Sequence, residues 1–415
     1  MVSENQPITL RVYDQFAEVR KVIDASEGRA SVCFHQEDYD HIVPDSIELE
    51  VPKGRVSICL TRKKHNLEGT KIFIRNEKTG EHREALLVDD DESLLYDEIS
   101  RRYFYANRGM FESESVPIKY IVKAVFSVES PTDEAILTYL DTRIKWRAKY
   151  RLDVDEATSS ATIKCFAIIS NPGKNGYEVT SAELFGGEVS APTVMARKSL
   201  NSGMVAQASM FAASPPPSID LTTQKVIGGL FQYTIEKPFH LTAQSDLYQE
   251  FLLANISLKM FSTLKTSWNN SMENLKFTRF YEISSDRFLP AGQITIREQG
   301  RIISNTHLSH LPAESKRELR IGEDSCGFMT RKIIGFKEQG KITITEIEAE
   351  ITNSRQKPWE YRYEESAYTH ETDHTYSMEN DDPAIKIRQN TLNVIKVIDP
   401  EDKFKFRFKI TSVKK

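Results

Sequence analysis

Apolar and polar residues alternate along much of this chain. "ITLRVY", "SIELEV", "RVSICL", "TKIFIR", "QITIRE", "KITITEIEAEI" and "WEYRYEE" each place a β-branched or aromatic residue at or near every second position. A period of two is that of a pleated strand with one face in a core and the other in solvent. Turn chemistry stands between several of these runs, in "NEKTGE" at 76–81, "NPGKNGY" at 171–177 and "KEQGK" at 337–341. Asn175 and Gly176 both tolerate positive φ, so the second of these is expected to close a hairpin. The expected fold is mainly β, with antiparallel β-sandwich domains, a small N-terminal β domain and few helices.

A helix is expected over 90–106, "DDESLLYDEISRRYFYA", where acidic residues lead, apolar residues follow at three-and-four spacing and arginines come near the end. "SDLYQEFLLANISLKMFSTLKTSW" reads as either helix or strand. At 415 residues the chain exceeds one average domain. The expected division is a β-rich domain over 1–125 and a β-sandwich region over 126–415, with a second division near 286 left open. A Ser-, Ala-, Met- and Pro-rich stretch at 196–220 interrupts that region as a loop, and "YTHETDHTYSMENDDP" at 368–383 has the composition of a second loop.

Composition narrows the classes. A hydrophobic share of 39% and a charged share of 28% are those of a globular protein, and no apolar run approaches the roughly 18 residues of a membrane span. The start, "MVSENQPITLRVYDQ", lacks the apolar core of a secretory signal, which predicts an intracellular, cytoplasmic protein. Cys33, Cys59, Cys165 and Cys326 share no short spacing, so they read as reduced and mostly buried thiols. The net charge of -5 is interspersed along the chain, which disfavours nucleic acid as a partner.

Candidate functional residues are few. In "KFKFRFKI", a strand sends Phe404, Phe406 and Phe408 to one side and the cations, Lys405 and Arg407 among them, to the other. Aromatics and cations then share no surface, so the run reads as a sheet strand and not a nucleic-acid platform, with Lys405 and Arg407 open to an acidic partner. Trp146 and Tyr150, four apart, share one face of a strand as core anchors. "HETDH" matches the letters of the HExxH zinc pattern, with His370 and His374 as metal ligands and Glu371 as general base. The pattern needs a helix, because on a strand two such histidines stand roughly 13 Å apart. Met204, Met210 and Phe211 in the 196–220 loop are candidate partner-binding residues. No nucleophile elbow and no phosphate-binding glycine pattern occurs, and no cofactor or small-molecule substrate is implied.

Several segments together resemble a known family. "LTYLDTRIKWRAKYRLDV", "SNPGKNGYEVTSAELFGGEV" and "RFLPAGQITIREQGRIISNTHLSHLPAESKRELRIGEDSCGFMTRK", the last with Leu289, Pro290, Gly292, Gly322 and Asp324, are similar in order to the mucoidy-inhibitor-A-like proteins, a family of uncharacterised domains. The coiled coil carried by many relatives is absent. The resemblance implies a β-sandwich protein and no reaction. Read residue by residue, Gly292 and Gly186-Gly187 are turn or bulge glycines. The expected function is protein–protein interaction or self-association without catalysis, as an assembly subunit or binding module. The alternative is a metal-dependent hydrolase at His370 and His374.

Overall fold

The computed structural model describes residues 7–64, 68–75, 82–112, 120–187, 189, 224–268, 273–367, 374–380, 382 and 385–414. The described chain is almost wholly strand, relieved by one helical turn at Gln36–Tyr39 and one 3-10 turn at Arg108–Met110. Mainly β architecture is therefore what the alternation produces. Contacts divide the chain into two compact units, Met1–Trp146 with Ile169–Ile227 and Gln232–Leu247, and Arg147–Ile168 with Gly228–Phe231 and Tyr248–Lys415. Each is assembled from segments distant in sequence.

The first unit contains a β-sandwich. Its larger sheet runs in the order Gln224–Ile227, Leu230–Ile235, Tyr177–Gly186, Ile8–Val12, Ala17–Ala25, Thr132–Asp141 and Glu48–Glu50, with Phe239–Leu241 added beside Tyr177–Gly186. A three-stranded sheet, Arg29–His35, Tyr120–Val128 and Val56–Lys64, lies against part of it. Ile23, Leu49, Ala135 and Leu137 from the first sheet meet Phe34, Ala124 and Phe126 from the second in one apolar core. A five-stranded sheet over residues 71–112 has a small core of its own, built on Ile72, Ile74, Ala85, Leu87 and Leu95.

The helix expected over 90–106 does not form. Leu94–Asp97 and Arg102–Tyr105 are antiparallel strands in register Leu94↔Tyr105 to Asp97↔Arg102. Between them the buried Asp97 carboxylate accepts the N–H groups of Ile99 and Ser100 and the Ser100 hydroxyl, and Arg101 turns with φ 55°. That side-chain turn competes with the helix and prevails. The 171–177 segment is not a hairpin either, because it joins Ser160–Asn171 and Tyr177–Gly186, which lie in different sheets, and neither Asn175 nor Gly176 has positive φ. The turn at 337–341 does close a hairpin, pairing Gln339 with Ile342 around Gly340 at φ 63°. The turn signal at 76–81 lies outside the described residues.

The second unit holds a five-stranded sheet, ordered Ser245–Leu252, Ser160–Asn171, Lys145–Asp155, Gly292–Glu298 and Arg301–Leu308. Its other sheet has nine strands, ordered His374–Glu379, Lys403–Lys414, Ile342–Asn353, Lys316–Gln339, Glu273–Ser285, Ile256–Ser267, Trp359–Ser366, Thr391–Ile398 and Lys386–Arg388. That sheet is nearly closed: the rings of Tyr363 and Phe406, on strands near its two ends, meet at 6.0 Å. Its interior is filled by Phe277, Met329, Ile347, Ile351, Trp359, Tyr361 and Phe408.

Gly292 serves neither turn nor bulge. It opens a strand that runs parallel to Lys145–Asp155 opposite Ala148, and a Cβ there would stand 2.2 Å from the Ala148 carbonyl oxygen. The glycine sets a close backbone approach. The cysteines also depart from expectation, since Cys33 and Cys59 are exposed on outer positions of the three-stranded sheet while Cys165 is buried and Cys326 half-buried. Burial, followed by the charge of Glu250, pushes the Cys165 thiol up to about 12.

Two outcomes are expected. Gly292→Ala lowers stability in urea unfolding by about 3 kcal/mol, the scale of a forced overpacking; an unchanged midpoint would show that the two strands can part. Titration of the native protein with a thiol reagent labels Cys33 and Cys59 first and Cys165 only on unfolding, and early loss of the Cys165 signal would contradict its burial.

Candidate functional site

The richest polar constellation grows from an irregularity in the 24-residue strand Lys316–Gln339. Beside Glu273–Ser285 its register passes from Thr278↔Glu323 to Lys276↔Phe328, so five steps of one strand face two of the other. A bulge re-aims side chains. Here it turns Asp324 inward, leaving it 2% exposed.

The Asp324 carboxylate is fully engaged. Oδ1 accepts the N–H groups of Cys326 and Gly327 at 2.9 and 3.1 Å, and Arg355 makes a two-pronged contact, Nη2 to Oδ1 at 2.7 Å and Nη1 to Oδ2 at 3.1 Å. Ser262 donates its hydroxyl to Oδ2 at 2.5 Å and accepts the Trp359 indole N–H at 2.8 Å. The Arg355 guanidinium lies 4.0 Å from the Trp359 ring centroid and also donates to the Tyr361 hydroxyl, which in turn donates to Asn353. Burial opposes the charge on Arg355, and the hydrogen bond and charge of Asp324 outweigh it, so its pKa is raised. Burial foremost, then Asp324, raises the Tyr361 phenol.

A cleft of about 720 Å³ opens beside this network, lined among others by Glu156, Arg279, Glu323, Cys326, Gln356 and Lys357. Its rim charges are spent on each other: Lys276 pairs with Glu323 at 2.5 Å, and Lys357 reaches the Glu156 carbonyl at 2.5 Å and its carboxylate at 3.4 Å. Cys326 has Ser325 Oγ at 4.0 Å, and among the described residues no histidine lines the cleft. A second buried pair, Arg331 with Glu365, sits further along the same strand, with Tyr363 donating to Glu365 and the Trp268 ring 5.1 Å from the Arg331 guanidinium. Among the described residues no group of three or more His, Cys, Asp or Glu is placed to hold a metal.

The residues singled out from sequence fall as follows. Phe406 and Phe408 are buried and Phe404 half-buried on the inner face of Lys403–Lys414. Outside, Lys403 and Lys405 pair with Glu350, Arg407 with Glu348 and Lys409 with Glu346, all on the adjacent strand Ile342–Asn353. The cationic face is thus matched by the chain's own acidic strand. Trp146 is buried and donates to the Phe185 carbonyl at 2.9 Å; Tyr150 is buried and donates to the Pro290 carbonyl at 2.6 Å. His374 opens the extended strand His374–Glu379, paired with Lys414. His370, Glu371, Met204, Met210 and Phe211 lie outside the described residues.

Sequence reading passed over two features. Arg355, in "NSRQKP", carries no local signal that it will meet Asp324. The other is the strand Val56–Lys64, an edge of its sheet with no described strand on its outer side. Its pairing to Tyr120–Val128 runs without a bulge from Val56↔Val128 to Lys64↔Tyr120. Ile58 and Leu60 stand opposite the buried Phe126 and Ala124 yet remain 43% and 41% exposed.

The chain matches no family model and no curated protein.

Replacing Arg355 by Met leaves Asp324 charged, buried and short of two hydrogen bonds. The expected loss of stability is about 3–5 kcal/mol, the cost of stranding one member of a buried pair. Restoration by the double change Asp324→Asn, Arg355→Met to within about 2 kcal/mol of the native value, in the same denaturation assay, would confirm that the pair and not the cleft sets the loss.

Proposed function

We propose that this is a non-catalytic β protein that works through protein–protein contact, as a subunit of an assembly or a binding module. The single observation behind the reading is the edge Val56–Lys64, with no described strand on its outer side: nine residues of regular strand with half-exposed apolar side chains beside a packed core. An unpaired edge of this kind is a template for another strand. The polar network of the second unit fits the same reading, because Asp324, Arg355, Ser262 and Tyr361 satisfy one another.

We also propose kinship with the mucoidy-inhibitor-A-like proteins. The residues carrying that resemblance do structural work here: Trp146 and Tyr150 fasten backbone carbonyls, Gly292 permits a close strand approach and Asp324 anchors a bulge. Four unpaired thiols fit a reducing compartment, and we place the protein in the cytoplasm.

Native mass spectrometry of the protein isolated from its own cells without chelator tests the reading. A defined oligomer or a stoichiometric protein complex is the expected result. A monomer carrying a metal that is lost in a His370→Ala, His374→Ala variant would replace the interaction reading with hydrolase chemistry, and a bare monomer would end it.

A further inference from the structure

From the edge Val56–Lys64 we infer the chemistry of its partner: an extended acidic segment with alternating apolar residues, added as a fourth strand to the three-stranded sheet. The inference rests on the interaction reading above and deepens it. Three observations carry it.

The first is the apolar opening. Val56, Ile58, Leu60 and Arg62 project to the inner face of the sheet, each opposite a buried residue of Tyr120–Val128, and the added strand would cover Ile58 and Leu60 as its apolar residues enter the same layer. The second is charge. Residues 53–64, "KGRVSICLTRKK", contain Lys53, Arg55, Arg62, Lys63 and Lys64 and no acidic residue, in a chain whose net charge is -5. Arg62 lies 4.3 Å from the Tyr120 ring centroid and 5.8 Å from that of Tyr39, and among the described residues neither it nor Lys63 has a carboxylate in ion-pair range. A second copy of the chain is a poor occupant, because antiparallel self-pairing about Leu60 sets Arg62 against Ile58 and offers the cations no counter-charge.

The third is that the chain already contains such a pairing. The cationic strand Lys403–Lys414 lies against "ITEIEAEI" of Ile342–Asn353, with Glu346, Glu348 and Glu350 matched to Lys409, Arg407 and the pair Lys403 and Lys405. Acid–apolar alternation is the complement this protein itself uses for a strand whose cations share one face; at the edge that face carries Lys63 beside Ser57, Cys59 and Thr61, while Arg62 lies with Ile58 and Leu60.

The test uses the full-length protein and two labelled nonapeptides: TITEIEAEI, the chain's own residues 343–351, and its charge-reversed form TITKIKAKI. Fluorescence anisotropy at low salt is expected to show saturable binding of the acidic peptide, at least tenfold tighter than of the basic one and weakening as salt rises. Ile58→Lys with Leu60→Lys abolishes binding, and Arg62→Glu with Lys63→Glu inverts the preference. These side chains are exposed, and an unchanged melting curve verifies that each variant folds. Equal or absent binding of the two peptides, or an uninverted preference in the charge variant, overturns the inference. So does a dimer, seen by light scattering, that the Ile58→Lys, Leu60→Lys variant dissolves, which would assign the edge to a second copy. The interaction reading itself falls only on the native mass measurement, so the two failures are distinct.

Discussion

A protein made almost entirely of strands must dispose of its edges, because each unpaired row of N–H and C=O groups invites another chain. Most sheet ends here are blunted. The large sheet of the first unit ends in the three-residue strand Glu48–Glu50 and the four-residue strand Gln224–Ile227. The nine-stranded sheet ends in the three-residue Lys386–Arg388, and its long strand Lys316–Gln339 carries a register shift between Ile333 and Gly335, beyond the reach of Glu273–Ser285. Arg301–Leu308 is interrupted opposite Ile296 and Arg297. Among the described edge strands Val56–Lys64, with nine residues, is the longest, ahead of Ser245–Leu252 with eight and Arg29–His35 with seven; it is regular and half apolar, with charge gathered at one end.

The buried charges answer a different demand. Desolvating a carboxylate and a guanidinium costs several kcal/mol for each ion, so a buried pair is weak evidence of stability for its own sake. What the pair Asp324 and Arg355 supplies is definition. A strand of period two can slip by one residue and invert every side chain, and a 24-residue strand offers many registers. Asp324 gathers two N–H groups of its own bulge, a hydroxyl from Ile256–Ser267 and the guanidinium that follows Ile342–Asn353. A slipped strand would leave that carboxylate buried without partners. The polar chemistry of the second unit thus holds register, and the cleft beside it follows from the bulge.

These relations explain what the sequence showed and what it hid. Alternation over "KITITEIEAEI" and "KFKFRFKI" was legible because both strands are long and have one buried face. Leu94–Asp97 and Arg102–Tyr105 are four residues each, too short for a period to emerge, and their apolar residues happen to fall at helical spacing; the deciding feature was the Asp97 turn, which needs the fold to bury it. Trp146 and Tyr150 were readable as core anchors from their spacing, whereas Gly292 was misread because local sequence cannot show a neighbouring backbone 144 residues away, at Ala148. Arg355 was silent for the same reason. The edge was half visible: "RVSICL" announced a strand, but only pairing reveals that one side of it has no described neighbour.

Charge distribution joins these threads. On the outer face of the nine-stranded sheet, glutamates and cations in adjacent strands neutralise each other, and such exposed pairs contribute little individually, roughly 0–1 kcal/mol. Their larger effect is selective, since like charges placed opposite one another are unfavourable and a strand of the wrong sign or register is rejected. Lys403–Lys414 has its acidic complement within the same chain. Val56–Lys64 carries its cations consecutively at one end, Arg62 to Lys64, and among the described strands pairs only with Tyr120–Val128, whose one charged residue is Lys123. Next to a strand with no carboxylate, these cations lack the charge match that their counterparts obtain internally. The complement this edge calls for is acidic, and its apolar gap at Ile58 and Leu60 fixes where the alternation must fall.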